Sequence, residues 1–219
     1  QTGTGKTAAF SLPVLSQMDL KKRVVQTLVL NPPQELAMQI AKDIKSFSKY
    51  MNNLNVVAVY GGSSIQDQMR SIRRGANVIV GTPGRMLDLL QRKVLQLDHV
   101  QWVILDEADE MLKMGFVEDI TSILSTTPDD KQTLLFSATM SRTIEQIAKK
   151  YMHKSLRIEV KATPHNKLAI SHQYMMVPAR EKLAALKRYM ALTTDMYAIV
   201  FCRTKRETQE IGDALLEAG

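Results

Sequence analysis

Two groups of residues have the types and spacing to do chemistry. The first is Gly3-Thr4-Gly5-Lys6-Thr7. Successive backbone N–H groups in a glycine-rich turn can surround phosphate oxygens. A helix starting there offers its unpaired N-terminal donors to the same anion. Lys6 would then reach the β- and γ-phosphates, and Thr7 would hold Mg²⁺. The full phosphate-loop pattern needs a small residue one position before Gln1. The other reading is a plain glycine-rich turn with a lysine nearby. The second group is Asp106-Glu107, directly after Val103-Ile104-Leu105. One carboxylate at a strand end can bind a metal, and its neighbour can orient an attacking water. The other reading is a helix N-cap cluster, since acidic residues favour first turns. Their order along the chain favours nucleotide chemistry.

Elements must bring these groups together. The glycine-rich run leads into a helix over 4–15, unsettled by Pro13. Apolar composition predicts strands over 24–30, 56–60, 78–80, 102–105, 133–136 and 156–160. Helical spacing of Leu36, Ile40, Ile44 and Phe47 predicts a helix over 34–51. Ile65, Met69 and Ile72 mark another, and 85–91 a further one. Phe116, Ile120, Ile123 and Leu124, then Ile144, Ile147, Ala148 and Tyr151, stripe two more. Strand–helix alternation implies an α/β fold, a parallel sheet with helices on both faces. Ligands of such sheets bind beyond the C-terminal strand ends. The polar stretch 161–168 reads as a linker between a first domain, 1–160, and the start of a second, 169–219. There, strands over 170–177 and 197–201 alternate with helices at Leu183, Leu186 and Met190 and over 205–217.

Composition narrows the function classes. Across 219 residues, 45% are apolar and 23% charged, an ordinary globular mix. No apolar run approaches the roughly 20 residues of a membrane span. The net charge of +7 permits a polyanionic partner such as nucleic acid. Lys42, Lys45, Lys49, Arg70, Arg73 and Arg74 either face such a partner or form the wet sides of helices. The single cysteine, Cys202, excludes an internal disulfide and fits a reducing cytoplasm. The four histidines have no metal-ligand spacing. Met111, Met114 and Met140 read as gap fillers around helices, and Trp102 as core.

The ordered motifs resemble the DEAD-box ATP-dependent RNA helicases of helicase superfamily two. Asp106-Glu107-Ala108-Asp109 matches the motif that names the family. Residues 1–7 resemble the end of motif I, and 32–37 (PPQELA) resemble motif Ia. Gly61-Gly62 matches the GG element, and Thr82-Pro83-Gly84-Arg85 matches motif Ib. Ser137-Ala138-Thr139 matches motif III, while Val200-Phe201-Cys202 with Thr204 is similar to motif IV.

The resemblance implies a RecA-like fold of the P-loop NTPase type and an RNA-stimulated ATPase that locally unwinds RNA or remodels RNA–protein complexes. It implies ATP and Mg²⁺ at Gly3, Thr4, Gly5, Lys6 and Thr7, with the metal at Thr7 and Asp106. Lys6, Asp106 and Glu107 become the catalytic set, with Glu107 the general base. Pro32, Gln34, Gly61, Gly62, Thr82, Gly84 and Arg85 become RNA-backbone contacts. Asp109, Ser137 and Thr139 become the link between nucleotide state and domain closure. Phe201 becomes a structural or stacking residue. Rival readings are a DNA-directed motor of the same superfamily and a non-catalytic RNA-binding scaffold.

Motif Ia departs from the family pattern, with Pro33-Gln34 where Thr-Arg is usual. Pro33 lacks an N–H donor, and Gln34 lacks a charge to meet a phosphate. The RNA grip there is either altered or maintained by backbone groups and Arg85. The sequence also reads as an internal slice of a longer protein. The upstream glutamine motif, the strand before the phosphate loop and the later arginine-rich motifs are all outside it. Nearly inactive behaviour of the slice alone is expected. So is a displaced or mobile loop over 1–7 unless outside sequence supplies the strand.

Overall fold

The structure is a computed structural model that describes residues 5–152, 154–160, 171–193 and 196–217. The chain divides into two compact units, Gln1–Arg157 and Ile158–Gly219. The sequence places this boundary after 160, and the linker over 161–168 lies outside the described residues.

The first unit carries strands β1 (Thr27–Leu30), β2 (Val56–Val59), β3 (Val78–Gly81), β4 (Trp102–Leu105) and β5 (Gln132–Leu135). They pair in parallel in the order β2-β3-β1-β4-β5. Its helices are α1 (Lys6–Ser16), α2 (Gln34–Phe47), α3 (Ile65–Arg73), α4 (Pro83–Gln91), α5 (Ala108–Lys113), α6 (Val117–Leu124) and α7 (Arg142–Tyr151). The fold is α/β, as the alternation predicts.

Side chains alternate between the two faces of the sheet. Val29, Val56, Val78, Val80 and Ile104 pack with Phe10, Val14 and Leu15 of α1 and Ile40 and Ile44 of α2. Leu28, Leu30, Val57, Ile79, Val103 and Leu105 pack on the other face with Met86, Leu89, Met111, Ile120 and Ile147. Both faces are covered, which is why the strands read as continuous apolar runs. Burying each such side chain contributes roughly 1.5–3 kcal/mol.

The register aligns the strand ends. Leu30 pairs with Gly81 and Leu105, and Leu105 pairs with Leu135. The ladder runs one residue further: Asn31 N–H donates to Gly81 O (3.1 Å), Asp106 N–H to Leu30 O (2.9 Å) and Phe136 N–H to Leu105 O (2.8 Å). Asn31, Thr82, Asp106 and Phe136 therefore stand in one row at the C-terminal end of the sheet, where open parallel sheets bind their ligands.

Several sequence expectations need correction. The first strand starts at Thr27, because Gln26 turns its side chain to the preceding loop, with Nε2 donating to Asp19 O at 2.7 Å. The first helix reaches Ser16 despite Pro13; burial of Phe10, Val14 and Leu15 holds its face on the sheet. No strand forms over 156–160, where Leu156, Ile158 and Val160 are exposed. A strand requires a partner, and among the described residues β5 is paired only to β4. Met111 is core, but Met114 and Met140 are exposed.

The second unit holds a 3₁₀ turn (Ala179–Glu181) followed by α8 (Lys182–Leu192), and then α9 (Lys205–Leu216), capped by the Thr204 hydroxyl accepting from Glu207 N–H at 3.1 Å. The strands expected over 170–177 and 197–201 are absent from its described residues, and Tyr174, Met176, Tyr197, Ile199 and Phe201 are exposed. Two strand-like segments offer too little surface for a self-sufficient sheet.

Candidate active site

Gly5 caps α1 in the left-handed conformation, φ 78°, which glycine adopts without strain. Lys6 and Thr7 open the helix; Gly3 and Thr4 lie outside the described residues. Asp106 is buried at the end of β4, 4% exposed. Its Oδ1 accepts from Glu107 N–H at 3.0 Å and stands 3.7 Å from Lys6 Nζ. The glycine-rich turn and the acidic strand end, about a hundred residues apart in sequence, thus meet through one ion pair.

Glu107 has φ 50° and ψ 48°, left-handed backbone that costs a non-glycine residue about 1–2 kcal/mol. Backbone bonds on either side hold it there. Ala108 N–H donates to Phe136 O (3.0 Å), and Glu107 O accepts from Met111 N–H (3.1 Å) in the first turn of α5. The twist separates the Glu107 side chain from the strand direction, and it leaves Glu107 half-buried beside buried Asp106. Strain of this kind gathers at functional sites.

Asp109, on α5, is buried and bonded to the loop after β5. Its Oδ1 accepts from Ala138 N–H (3.3 Å) and its Oδ2 from the Thr139 hydroxyl (3.2 Å). Burial alone would raise its pKa. The Ser137 hydroxyl, Ala138 N–H, Thr139 hydroxyl and its own N–H together outweigh burial and hold the carboxyl below its ordinary value. Ser137 shares its single proton with Thr139 O, 2.6 Å away. Asp109, Ser137 and Thr139 therefore form one network, which Asp109 anchors two residues after Glu107.

The remaining candidates lie along the same sheet end. Thr82 is the N-cap of α4 and Pro83 occupies its first turn, where a missing N–H is harmless. Gly84 is exposed on that turn. Arg85 follows, with Nη1 and Nη2 each donating to Ser63 O at 3.3 Å. Gly62 is left-handed, φ 77°, and Gln34 Oε1 lies 3.2 Å from where a Gly62 Cβ would stand. Gln34, Gly62 and Arg85 thus sit around one loop, with Gly61 beside them. Pro32 is buried, so its side chain presents nothing to a ligand. Pro33 contributes its carbonyl, which accepts from Asn31 Nδ2 (3.0 Å) and Ala37 N–H (3.2 Å). Gly81 was unflagged by motif, yet a Cβ there would meet Val59 O at 1.9 Å.

Among the described residues no three His, Cys, Asp or Glu side chains cluster to hold a metal by themselves. The Asp106 carboxylate and the Thr7 hydroxyl at the start of α1 are oxygen donors of the kind that suits Mg²⁺ arriving with phosphates.

The DEAD/DEAH box helicase family model matches residues 1–147. The chain belongs to the DEAD/DEAH box helicase family. It is 46% identical over 215 residues to the ATP-dependent RNA helicase CshA of Listeria monocytogenes, covering 98% of this chain and 41% of that protein. It is 47% identical to the ATP-dependent RNA helicase DeaD of Mycobacterium tuberculosis, covering 100% of this chain and 38% of that one. A crystal structure of a DEAD box protein from the hyperthermophile Methanococcus jannaschii superposes with a TM-score of 0.70 at 42% identity, covering 100% of this chain and 58% of its own. The chain therefore spans about two fifths of the length of these curated DEAD-box relatives.

Proposed function

We propose that this chain supplies the ATP-handling centre, and part of the RNA groove, of an ATP-dependent RNA helicase. ATP hydrolysis would be stimulated by RNA and coupled to local duplex unwinding or to remodelling of RNA–protein complexes. The observation that carries this reading is Lys6 Nζ standing 3.7 Å from Asp106 Oδ1, with Glu107 next in sequence. That the relatives CshA and DeaD are ATP-dependent RNA helicases supports the choice of RNA and ATP.

In this reading Lys6 and the N–H groups of Gly3, Thr4 and Gly5 bind the phosphates of ATP. Thr7 and Asp106 hold Mg²⁺, which when bound neutralises charge building on the phosphates. Glu107 orients the attacking water and takes its proton. Asp109, Ser137 and Thr139 pass the state of the nucleotide to the loop after β5. Gln34, Gly61, Gly62, Thr82, Gly84 and Arg85 hold the RNA backbone, with Pro32 shaping the turn beneath. Backbone contacts carry little sequence information, so recognition is weakly sequence-specific and falls with salt. The slice alone is weakly active or inactive, and the protein works in the cytoplasm.

The test is ATP turnover of the full-length protein with RNA, with DNA of matched sequence and with neither. RNA-selective stimulation, lost in Glu107→Gln while ATP and RNA still bind, is the expected result. Equal stimulation by DNA makes the protein a DNA motor, and absent turnover makes it a scaffold.

A further inference from the structure

Gln68, on α3, belongs to none of the motifs, yet its side chain bonds three neighbours at this end of the sheet. It is 7% exposed. Its position explains why. Ile65 and Ile72 lie three before and four after it, so Gln68 occupies a place on the apolar stripe of α3 where an aliphatic side chain would be expected. Its Nε2 donates to Tyr60 O (3.0 Å) and to Ser63 Oγ (2.5 Å). Its Oε1 accepts from Arg85 Nη1 at 2.9 Å. The orientation of this amide is chemically forced. A guanidinium can only donate and a carbonyl can only accept, so a flipped Gln68 would lose both contacts.

We infer that Gln68 is a positioning residue that locks Arg85 to the Gly61–Gly62 loop as one anion-facing unit. The inference rests on the RNA reading above. Ser63 and Gln68 engage three of the five N–H donors of Arg85, fixing the plane of the guanidinium before any phosphate arrives. A side chain already ordered loses less freedom on binding. The same amide holds the Tyr60 and Ser63 ends of the loop that carries Gly61 and Gly62. The groove thus obtains two of its phosphate contacts, from β3–α4 and from β2–α3, in a set relation to each other.

The test uses the full-length protein and a fluorescein-labelled ten-nucleotide oligouridylate, with Mg²⁺ and a non-hydrolysable ATP analogue. Gln68→Met keeps the volume without the polar atoms. It is expected to weaken RNA binding about tenfold, and to raise the RNA concentration giving half-maximal turnover without lowering the maximal rate. Arg85→Ala is expected to weaken binding at least as much, and adding Gln68→Met to it should cost clearly less than Gln68→Met costs alone, since only the hold on the Gly61–Gly62 loop is then left to lose. Multiplying fold-losses, or a Gln68→Met protein that binds like the parent while Arg85→Ala is impaired, would overturn the inference. An Arg85→Ala protein with undiminished RNA affinity would instead overturn the RNA reading of this groove, and the inference with it. Gln68→Glu is a second variant, and thermal denaturation confirms that it folds with a carboxylate in place of the donor to Tyr60 O. It keeps an acceptor for Arg85 but neutralises it, so the slope of log affinity against log salt should fall by about 0.7. An unchanged slope in that variant also counts against the inference.

Discussion

The two chemical regions at the end of this sheet are built in opposite ways. At the α1–β4 end the two aspartates are buried and partnered: Asp106 faces the half-buried Lys6, and Asp109 takes bonds from the loop after β5. At the β2–β3 end, Gln34, Gly61, Gly62 and Gly84 are exposed, and Arg85 is the one side chain of that candidate set with recorded bonds to its neighbours across the loop. The proposed function accounts for the difference. Phosphoryl transfer depends on charges fixed to within a fraction of an ångström. Grip on a phosphate backbone depends on accessible donors and a close approach of the main chain, for which glycines serve better than long side chains.

The sharpest way to break this contrast is at Glu107. Glu107→Gln is expected to lower turnover by about 10²–10⁴ in the full-length protein, the range for loss of a general base. Retained turnover in a steady-state ATPase measurement would mean that the buried end does not hold the chemistry. Next in size is Gly81→Ala. Its Cβ would strike Val59 O, so β2 and β3 must part. A loss of roughly 3 kcal/mol, at the upper end of overpacking costs, should appear in urea denaturation followed by Trp102 fluorescence. A smaller loss would show that the exposed end tolerates movement of its scaffold.

Asp109→Asn sharpens the contrast through pH. The Asp109 carboxyl sits below its ordinary 3.8 in the folded chain. The unfolded chain therefore binds the proton more readily. Stability from this group is full above about pH 4 and drains away as pH falls below 3.8 through the folded value. The variant should lose about 2 kcal/mol at neutral pH, the scale for a hydrogen bond to a charged group, and should show a flatter acid limb in its denaturation midpoints. An equal acid limb in both proteins would remove the carboxyl from the network. The smallest effect is expected for Glu107→Gly, which relieves the left-handed backbone. A gain of about 1 kcal/mol with loss of turnover would separate strain from chemistry; destabilisation would show that the side chain supports the fold.

Much of this was legible in sequence, for definite reasons. β1, β3 and β4 are covered on both faces, so their apolar runs announced them. The segments at 156–160, 170–177 and 197–201 have similar composition, but composition records only what a strand can bury. Pairing is not local, and these segments lack it among the described residues. Helix α5 was missed because six residues offer less than two turns of periodicity, and because a left-handed Glu107 starts it instead of a side-chain cap. Lys6, Asp106 and Glu107 were visible as motifs. Gln68 was not, since a polar residue at an apolar position is ordinarily read as an interruption of the stripe. That interruption was the available signal.

The ion pair between Lys6 and Asp106 carries one last consequence. An isolated buried aspartate would pull strongly on any cation, but this one already has a counter-charge within 4 Å. In the proposed function, loading the cleft would be a substitution: Lys6 would turn toward the polyphosphate and leave Asp106 to a divalent ion. Only the difference between two attractions is released, so nucleotide without metal should be held loosely and the filled cleft should empty readily after each turnover.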